Sequence, residues 1–380
     1  MAVADRRETG KGDDRQALTL DALGGWPYIL SRLVAGESLG ADEAGAALSE
    51  VLSGEATPAQ IAAFIFGLRC KGESIEEMTG LVQAMLAASV IVPIPSALHA
   101  RLVDTCGTGG DRSGTINIST IAALVVAGAG IPVCKHGGRA ASSKAGSADL
   151  LEALGVAIEL GPRGVARCVV EAGIGFCFAP RFHPAMRHAG PVRGQLGVPT
   201  AFNFLGPLAN PARVRRQVVG VGDPTMIERM AWVLAGNGAT DVAIVHGLDG
   251  LDELTTTGPS VMVRWRADPT ASASAGPRSG DLSTTMVDPR SLGLAPAQLD
   301  QLKGGDAVAN AGHARRILEG APGPHRDIVL LNAAAALVVG GLADDLGDGI
   351  TIGAAAIDDG RAGHCLERLV RVSQESAAEA

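Results

Sequence analysis

Along residues 17 to about 90 the apolar side chains recur three and four positions apart. Leu30, Leu33 and Val34 make one stripe, Ala47, Leu48, Val51 and Leu52 a second, and Ile61, Phe64, Ile65 and Leu68 a third, the spacing of helices that bury one face. Thr57-Pro58 supplies a cap and a first-turn proline for the third helix. From about residue 101 the texture changes: short apolar runs at 102–103, 131–134, 174–178, 217–221 and 241–246 alternate with glycine-rich turns and helical stretches. That alternation predicts buried strands in an α/β fold with a mostly parallel central sheet and ligands at the strands' carboxyl ends. The expected organisation is a disordered tail over 1–16, a small helical N-terminal domain over 17–95 with helices from about 184–208 packed on it, and a larger α/β domain over 96–375. Residues 267–283, rich in Ser, Ala, Gly and Thr, read as a flexible surface loop, and residues 203–211 as a rigid turn.

Composition sharpens this picture. Of 380 residues 47% are apolar but only 3% aromatic, and 51 are glycine, which suits tightly packed helices and buried parallel strands. The net charge of −8 disfavours a general nucleic-acid binder, because phosphate backbones reward a basic face. Six scattered cysteines, Cys70, Cys106, Cys134, Cys168, Cys177 and Cys365, show no zinc-ligand spacing and suit reduced thiols. The polar start lacks a signal sequence and the apolar runs at 121–131 and 328–342 fall short of a membrane span. A cytoplasmic protein without membrane contact is the expectation.

The chemistry concentrates in four segments. Residues 104–120 run from an apolar strand through Gly107, Thr108, Gly109, Gly110 and Asp111 into a helix start carrying Thr115, Asn117, Ile118, Ser119 and Thr120. Glycines let backbone N–H groups approach a phosphate, and the helix adds its unpaired N–H groups and positive dipole end. Residues 135–149 repeat the design, with Lys135, His136, Gly138, Arg139 and Lys144 around a second glycine turn that includes Ala141, Ser142 and Ser143; the cations can add charge-assisted bonds. In residues 246–254 a strand end meets a glycine turn with Asp249, Asp252 and Glu253. Asp249 suits shaping the turn, while Asp252 and Glu253 offer hard oxygen ligands of the kind Mg²⁺ shares with phosphates and water. Residues 179–197 mix apolar surface with His183, Met186, His188 and Arg193, a combination able to hold an aromatic acid, with Arg193 facing a carboxylate. His183 and His188 read as surface or structural rather than catalytic.

These segments, in this order, resemble the anthranilate phosphoribosyltransferase family, whose members join anthranilate to phosphoribosyl pyrophosphate (PRPP) in tryptophan synthesis. The likeness runs from the helices before residues 71–74 to the C-terminal helix. It implies a fold shared with nucleoside phosphorylases and a homodimer. It further implies that Gly107, Thr108, Gly109, Gly110 and Asp111, with Thr115, Asn117, Ile118, Ser119 and Thr120, hold the pyrophosphate end of PRPP. Lys135, Ala141, Ser142 and Ser143 would bind the phosphoribosyl part. Ser119, Asp252 and Glu253 would serve Mg²⁺, and Gly107, His136, Gly138, Ala179, Met186 and Arg193 would line the acceptor site. Residues 71–74 resemble a hinge or lid. No nucleophile-His-acid triad stands out, so the expected catalysis is stabilisation of departing pyrophosphate by Mg²⁺, cradle N–H groups and Lys135. One departure is plain: the family usually reads Lys-His-Gly-Asn-Arg, and here Gly138 takes the place of that asparagine. This leaves a second reading, a phosphoribosyltransferase for another small aromatic acid. A pyrimidine nucleoside phosphorylase and a non-catalytic nucleic-acid-binding relative are the remaining alternatives.

Overall fold

The computed structural model describes residues 19–111, 113–140, 144–271, 276 and 278–379. The tail over 1–16 therefore lies outside the described residues. Four helices come first: α1 (Gly25–Val34), α2 (Ala41–Ser53), α3 (Pro58–Lys71) and α4 (Ile75–Ala87). Two start with reciprocal caps. The Gln60 amide donates to Thr57 Oγ1 at 3.3 Å and the Thr57 amide to Gln60 Oε1 at 2.8 Å; Ser74 and Glu77 do the same for α4. The stripes on α2 and α3 are buried as their spacing predicts. On α1 the buried face is Trp26, Ile29 and Leu33, whereas Leu30 is only half-buried and Val34 is 89% exposed. Val34 sits about 100° around the helix from Leu33, so the expected stripe was rotated by one residue.

After the short α5 (Ser96–His99), the chain builds one seven-stranded sheet. In sequence order come β1 (Val103–Gly107), α6 (Ile118–Ala129), β2 (Val133–Gly137), α7 (Ser147–Ala153), α8 (Pro162–Ala172), β3 (Ile174–Phe178), α9 (Ala179–Phe182), α10 (Gly190–Leu196), α11 (Phe202–Leu208), β4 (Arg216–Gly220), α12 (Ile227–Gly236) and β5 (Asp241–Gly247). The antiparallel pair β6 (Ser260–Ala267) and β7 (Gly280–Val287) follows, then α13 (Ala307–Leu318), α14 (Pro324–Gly340), α15 (Leu346–Asp358) and α16 (Arg361–Ala378). The strand order is β3-β2-β1-β4-β5-β6-β7, with β1 to β5 parallel. The fold is thus a small helical domain joined to a larger α/β domain with a mostly parallel sheet. The chain leaves β1 towards β2 on one side and later adds β4 on the other, so the carboxyl end of β1 is the topological switch point where α/β sheets hold ligands.

Side chains alternate between two cores. Val242 and Ile244 belong to the core built with the N-terminal helices, α10, α11 and α12, while Ala243 and Val245 belong to the core built with α6, α8 and α14 to α16. Glycine closes the helix contacts: a Cβ on Gly128 would lie 2.6 Å from Ala362 Cα, and one on Gly80 would lie 1.9 Å from the Ala41 carbonyl oxygen. Both crossings would be pushed apart by any larger residue.

Three local expectations need correction. Residues 203–211 are not simply a rigid turn, because 202–208 form α11, which ends just beyond Pro207. Lys135 and His136 do not follow their strand but lie in it, since β2 runs on to Gly137 in register with Phe178 of β3. The loop expected over 267–283 is shorter, because β7 starts at Gly280 and pairs with β6. Only Val287 of β7 is buried, so this edge strand carries no apolar alternation to announce it. Among the described residues, no helix is long and apolar enough to cross a membrane.

Candidate active site

The carboxyl ends of β1 and β2 and the turn after β5 surround a cavity of about 540 Å³. Its walls include residues 107–111, 113–120 and 135–140, together with Asn203, Asp252 and Glu253. The loop after β1 can turn here because Gly109, Gly110 and Gly114 adopt positive φ of 66°, 85° and 67°, conformations that side chains resist. Gly107 answers a different need: a Cβ there would lie 2.6 Å from Asp252 Oδ2.

The acidic turn is hooked under this loop. The Gly109 amide donates to Asp252 Oδ2 at 2.7 Å and the Ser119 amide to Glu253 Oε1 at 3.2 Å. Asn332 of α14 fixes the turn from behind, taking the Leu254 amide at 2.9 Å and donating to the Leu254 carbonyl at 2.8 Å. Desolvation, with Asp111 close by, pushes the Asp252 carboxyl up to about 6. Glu253 is driven well above the ordinary carboxylate range by desolvation and by Asp252. Asp249 accepts from the Leu251 amide and the Thr255 hydroxyl, the turn-shaping work expected of it.

Lys135 projects from β2 beneath the same loop and is only 3% exposed. Its ammonium donates to the Thr105 carbonyl and, at 3.4 Å, to Ser119 Oγ, and its charge favours ionised Glu253 and Asp104. Thr115 lies in the cavity wall and pairs with Lys303 in an isolated bridge. Ile118 and Thr120 are each 2% exposed and form the floor at the start of α6. Asn117 is committed elsewhere: its amide donates to the Ala145 carbonyl and accepts from Asn310, both at 2.9 Å.

The second glycine turn delivers less free charge than its sequence suggests. Arg139 is paired with Asp149 at 2.8 Å and with Glu152, and Lys144 is exposed. Ala141, Ser142 and Ser143 lie outside the described residues. Gly138 lines the cavity, and a Cβ built on it meets nothing within 4 Å.

His136 is buried beside the cavity with its Nδ1 3.1 Å from the Gly206 carbonyl. A carbonyl only accepts, so Nδ1 carries the proton and Nε2 is left as a bare acceptor. Nε2 has no hydrogen-bond partner among the described residues. Burial, followed by the neighbouring His183, lowers His136 to about 3, and burial lowers His183 to about 4; both are neutral at physiological pH. The two rings are 5.0 Å apart.

The remaining acceptor-side residues, Ala179, Met186 and Arg193, lie outside the lining of the main cavity. Ala179 opens α9 and its carbonyl takes the His183 amide at 2.9 Å, while the His183 carbonyl takes the Met186 amide at 3.0 Å. Arg193 of α10 lies 5.1 Å over the Phe202 ring. It is half-buried and has no carboxylate partner among the described residues. Burial alone lowers its pKa, so an anion beside it would relieve a desolvated charge.

Sequence reasoning missed the supports. Asp104, fully buried in β1, accepts the His136 amide at 3.2 Å and the Asn210 amide group at 2.8 Å, with Gln217 Nε2 at 3.4 Å. The available signal was an acid in the middle of an apolar strand. Asn332 and Asn310 sit in helices whose patterns gave no such sign.

Two family models match the chain: the glycosyl transferase family helical bundle domain over residues 27–89 and the glycosyl transferase family a/b domain over residues 99–363. Anthranilate phosphoribosyltransferase of Salinispora arenicola is 50% identical over 353 residues, covering 92% of this chain and 96% of that protein. The enzyme of the same description from Thermomicrobium roseum is 50% identical over 352 residues, covering 93% and 98%. Among solved structures, anthranilate phosphoribosyltransferase from Thermus thermophilus superimposes with a TM-score of 0.82 at 40% identity, covering 91% of this chain and 99% of that one. The Saccharomyces cerevisiae enzyme in complex with PRPP and Mg gives 0.81 at 26% identity, covering 92% and 98%.

Proposed function

This chain belongs to the anthranilate phosphoribosyltransferase family, a group of pentosyltransferases, and from that premise we propose how its own residues pass the phosphoribosyl group of PRPP to the amine of anthranilate. The observation that carries the reading is the pair of backbone hooks, Gly109 N–H on Asp252 and Ser119 N–H on Glu253. They bring two adjacent carboxylates to the mouth of a glycine cradle.

The pyrophosphate end of PRPP rests on the loop from Gly107 to Asp111 and on the start of α6, where Ser119 and Thr120 stand. Lys135 sits below, near the phosphoribosyl part. The described residues contain no cluster of three His, Cys, Asp or Glu able to hold a metal. An all-oxygen pair such as Asp252 and Glu253 suits Mg²⁺, which takes one or two carboxylates and completes its shell with phosphate and water. The raised affinity of both carboxyls for protons supports the same fit, because a cation relieves crowded, desolvated anions. Asp252 and Glu253, with Ser119 beside them, would hold the ion, which when bound supplies neutralising charge for the leaving pyrophosphate.

The acceptor lies towards His136, Gly138, Ala179, Met186 and Arg193, with the Arg193 guanidinium taking its carboxylate. An aryl amine has a usable lone pair at neutral pH, so neutral His136 need only orient the amine through Nε2. The phosphorylase alternative gives way to the likeness of the whole chain. A second acceptor reading stays attached to Gly138: the open space at that position leaves room for another small aromatic acid. We place this chemistry between a helical domain over 17–95 and an α/β domain over 96–375, in a cytoplasmic homodimer.

The test is pyrophosphate release from PRPP with anthranilate, with and without Mg²⁺, in wild type and Glu253→Gln. Wild type is expected to release pyrophosphate only with both substrates and the ion. The variant should need far more Mg²⁺ to reach half its maximal rate, and an unchanged requirement would remove Glu253 from the metal site.

A further inference from the structure

Residues 302–305, just before α13, run antiparallel to the far limb of the cradle loop. The Ile116 amide donates to the Leu302 carbonyl at 3.1 Å, the Gly304 amide donates to the Gly114 carbonyl at 2.9 Å, and Thr115 bridges to Lys303. The fit leaves no slack: a Cβ on Gly304 would lie 2.4 Å from Asn310 Oδ1 and 3.0 Å from the Thr115 carbonyl oxygen.

Asn310 ties this strap to both glycine turns. It is 1% exposed. Its Oδ1 accepts the Gly305 amide at 2.8 Å, its Nδ2 donates to Asn117 Oδ1 at 2.9 Å, and Asn117 Nδ2 donates to the Ala145 carbonyl at 2.9 Å. The relay has one polarity only. A backbone N–H, which must donate, fixes the Asn310 amide at one end; a carbonyl, which must accept, fixes the Asn117 amide at the other. Nothing in the reaction above uses Asn310, yet its relay joins the cradle for pyrophosphate to the loop after β2.

We propose that Asn310 is a positioning residue for the phosphoribosyl donor, holding the strap, the start of α6 and residue 145 in one register so that both glycine turns face the same PRPP molecule. This rests on the PRPP reading above. Asn310→Asp keeps the shape but sets an acceptor against Asn117 Oδ1; if Asn117 flips in response, its oxygen meets the Ala145 carbonyl instead. Asn310→Ala removes the link without adding charge.

The experiment is calorimetric titration of PRPP with Mg²⁺ into wild type and both variants, followed by steady-state kinetics. Donor affinity is expected to fall about tenfold or more, with kcat at saturating PRPP and the KM for anthranilate within about twofold of wild type. Equal losses in kcat and in both KM values would mark general damage and overturn the proposal. So would unchanged donor affinity in a folded variant. Hydrogen exchange on the wild-type protein covers the case in which neither variant folds: PRPP with Mg²⁺ should slow exchange at the Ile116 and Gly304 amides, and unaffected rates there would overturn the coupling. Absence of PRPP binding to the wild type would bring down the donor reading and this inference together, whereas wild-type binding with insensitive variants would bring down the inference alone.

Discussion

Asp252 and Glu253 are adjacent acids that would repel each other if left bare. Each takes an amide from the cradle, yet desolvation still holds both carboxyls above their ordinary range, with Lys135 offsetting this only in part at Glu253, which makes the pair responsive to a cation. Gly138 presents the reverse situation, a position where nothing is crowded. Its carbonyl is already held by the Ala148 amide at 3.1 Å and by the Ser147 hydroxyl at 3.3 Å, so a side chain added there projects into the cavity without moving the backbone. Gly138→Asn is therefore expected to fold normally and to lower the KM for anthranilate several-fold, as one added hydrogen bond of about 0.5–1.5 kcal/mol would. It should also cut turnover of anthranilates with bulky ring substituents. Steady-state kinetics on anthranilate and such an analogue check this, and unchanged values for both would mean that Gly138 does not face the acceptor. At this scale the residues that line the cavity were readable, because acids in a glycine turn and glycines before a helix break the surrounding apolar pattern. Asn310 and Asn332 were not, since an amide on a helix becomes meaningful only once its distant partners are in place.

At the scale of elements, β2 and the turn after α9 press two neutral imidazoles together inside the protein. His136 at about 3 and His183 at about 4 both lie below the 6.5 of a free histidine. The unfolded chain therefore binds protons from pH 6.5 downward that the folded chain refuses until pH 4 or below, so these histidines contribute stability above pH 6.5 that is lost as the pH falls through this window. Asp252, raised to about 6, acts in the opposite sense: the folded state holds its proton between pH 6 and 3.8 while the unfolded chain releases it. The histidine share is isolated by His183→Gln. Urea unfolding at pH 7.5 and pH 5 should show the variant losing less stability between the two than wild type does, by up to about 2 kcal/mol, the value of one proton over that interval. An identical loss in both proteins would mean that His183 titrates normally. The parallel strands and most helices were legible from their periodicity. The strap at 302–305 and edge strand β7 were not: the first has no period of its own, and the second buries only its last residue, so neither of its faces carries an apolar stripe.

For the whole molecule, two cores flank the sheet, and the N-terminal helices over one of them leave apolar side chains uncovered. Phe66 on α3 is 49% exposed, and Val34 at the end of the adjoining α1 is 89% exposed. Ala63 and Cys70 continue the exposed side of α3, one turn to either side of Phe66. A patch of this kind on helices that already bury an opposite face is what an isologous two-fold contact uses, since each copy offers the other the same surface. The proposed homodimer is therefore expected to form through α1 and α3, away from the cavity at the carboxyl ends of the strands. Light scattering should give wild type twice the mass of the 38.5 kDa chain. Phe66→Glu places a charge at the centre of the patch and should shift the protein to monomer at micromolar concentration. Because Phe66 does not line the cavity assigned to PRPP, the monomer should still bind PRPP with Mg²⁺. A dimer that survives Phe66→Glu would move the contact to another face, and a monomeric wild type would remove the homodimer altogether.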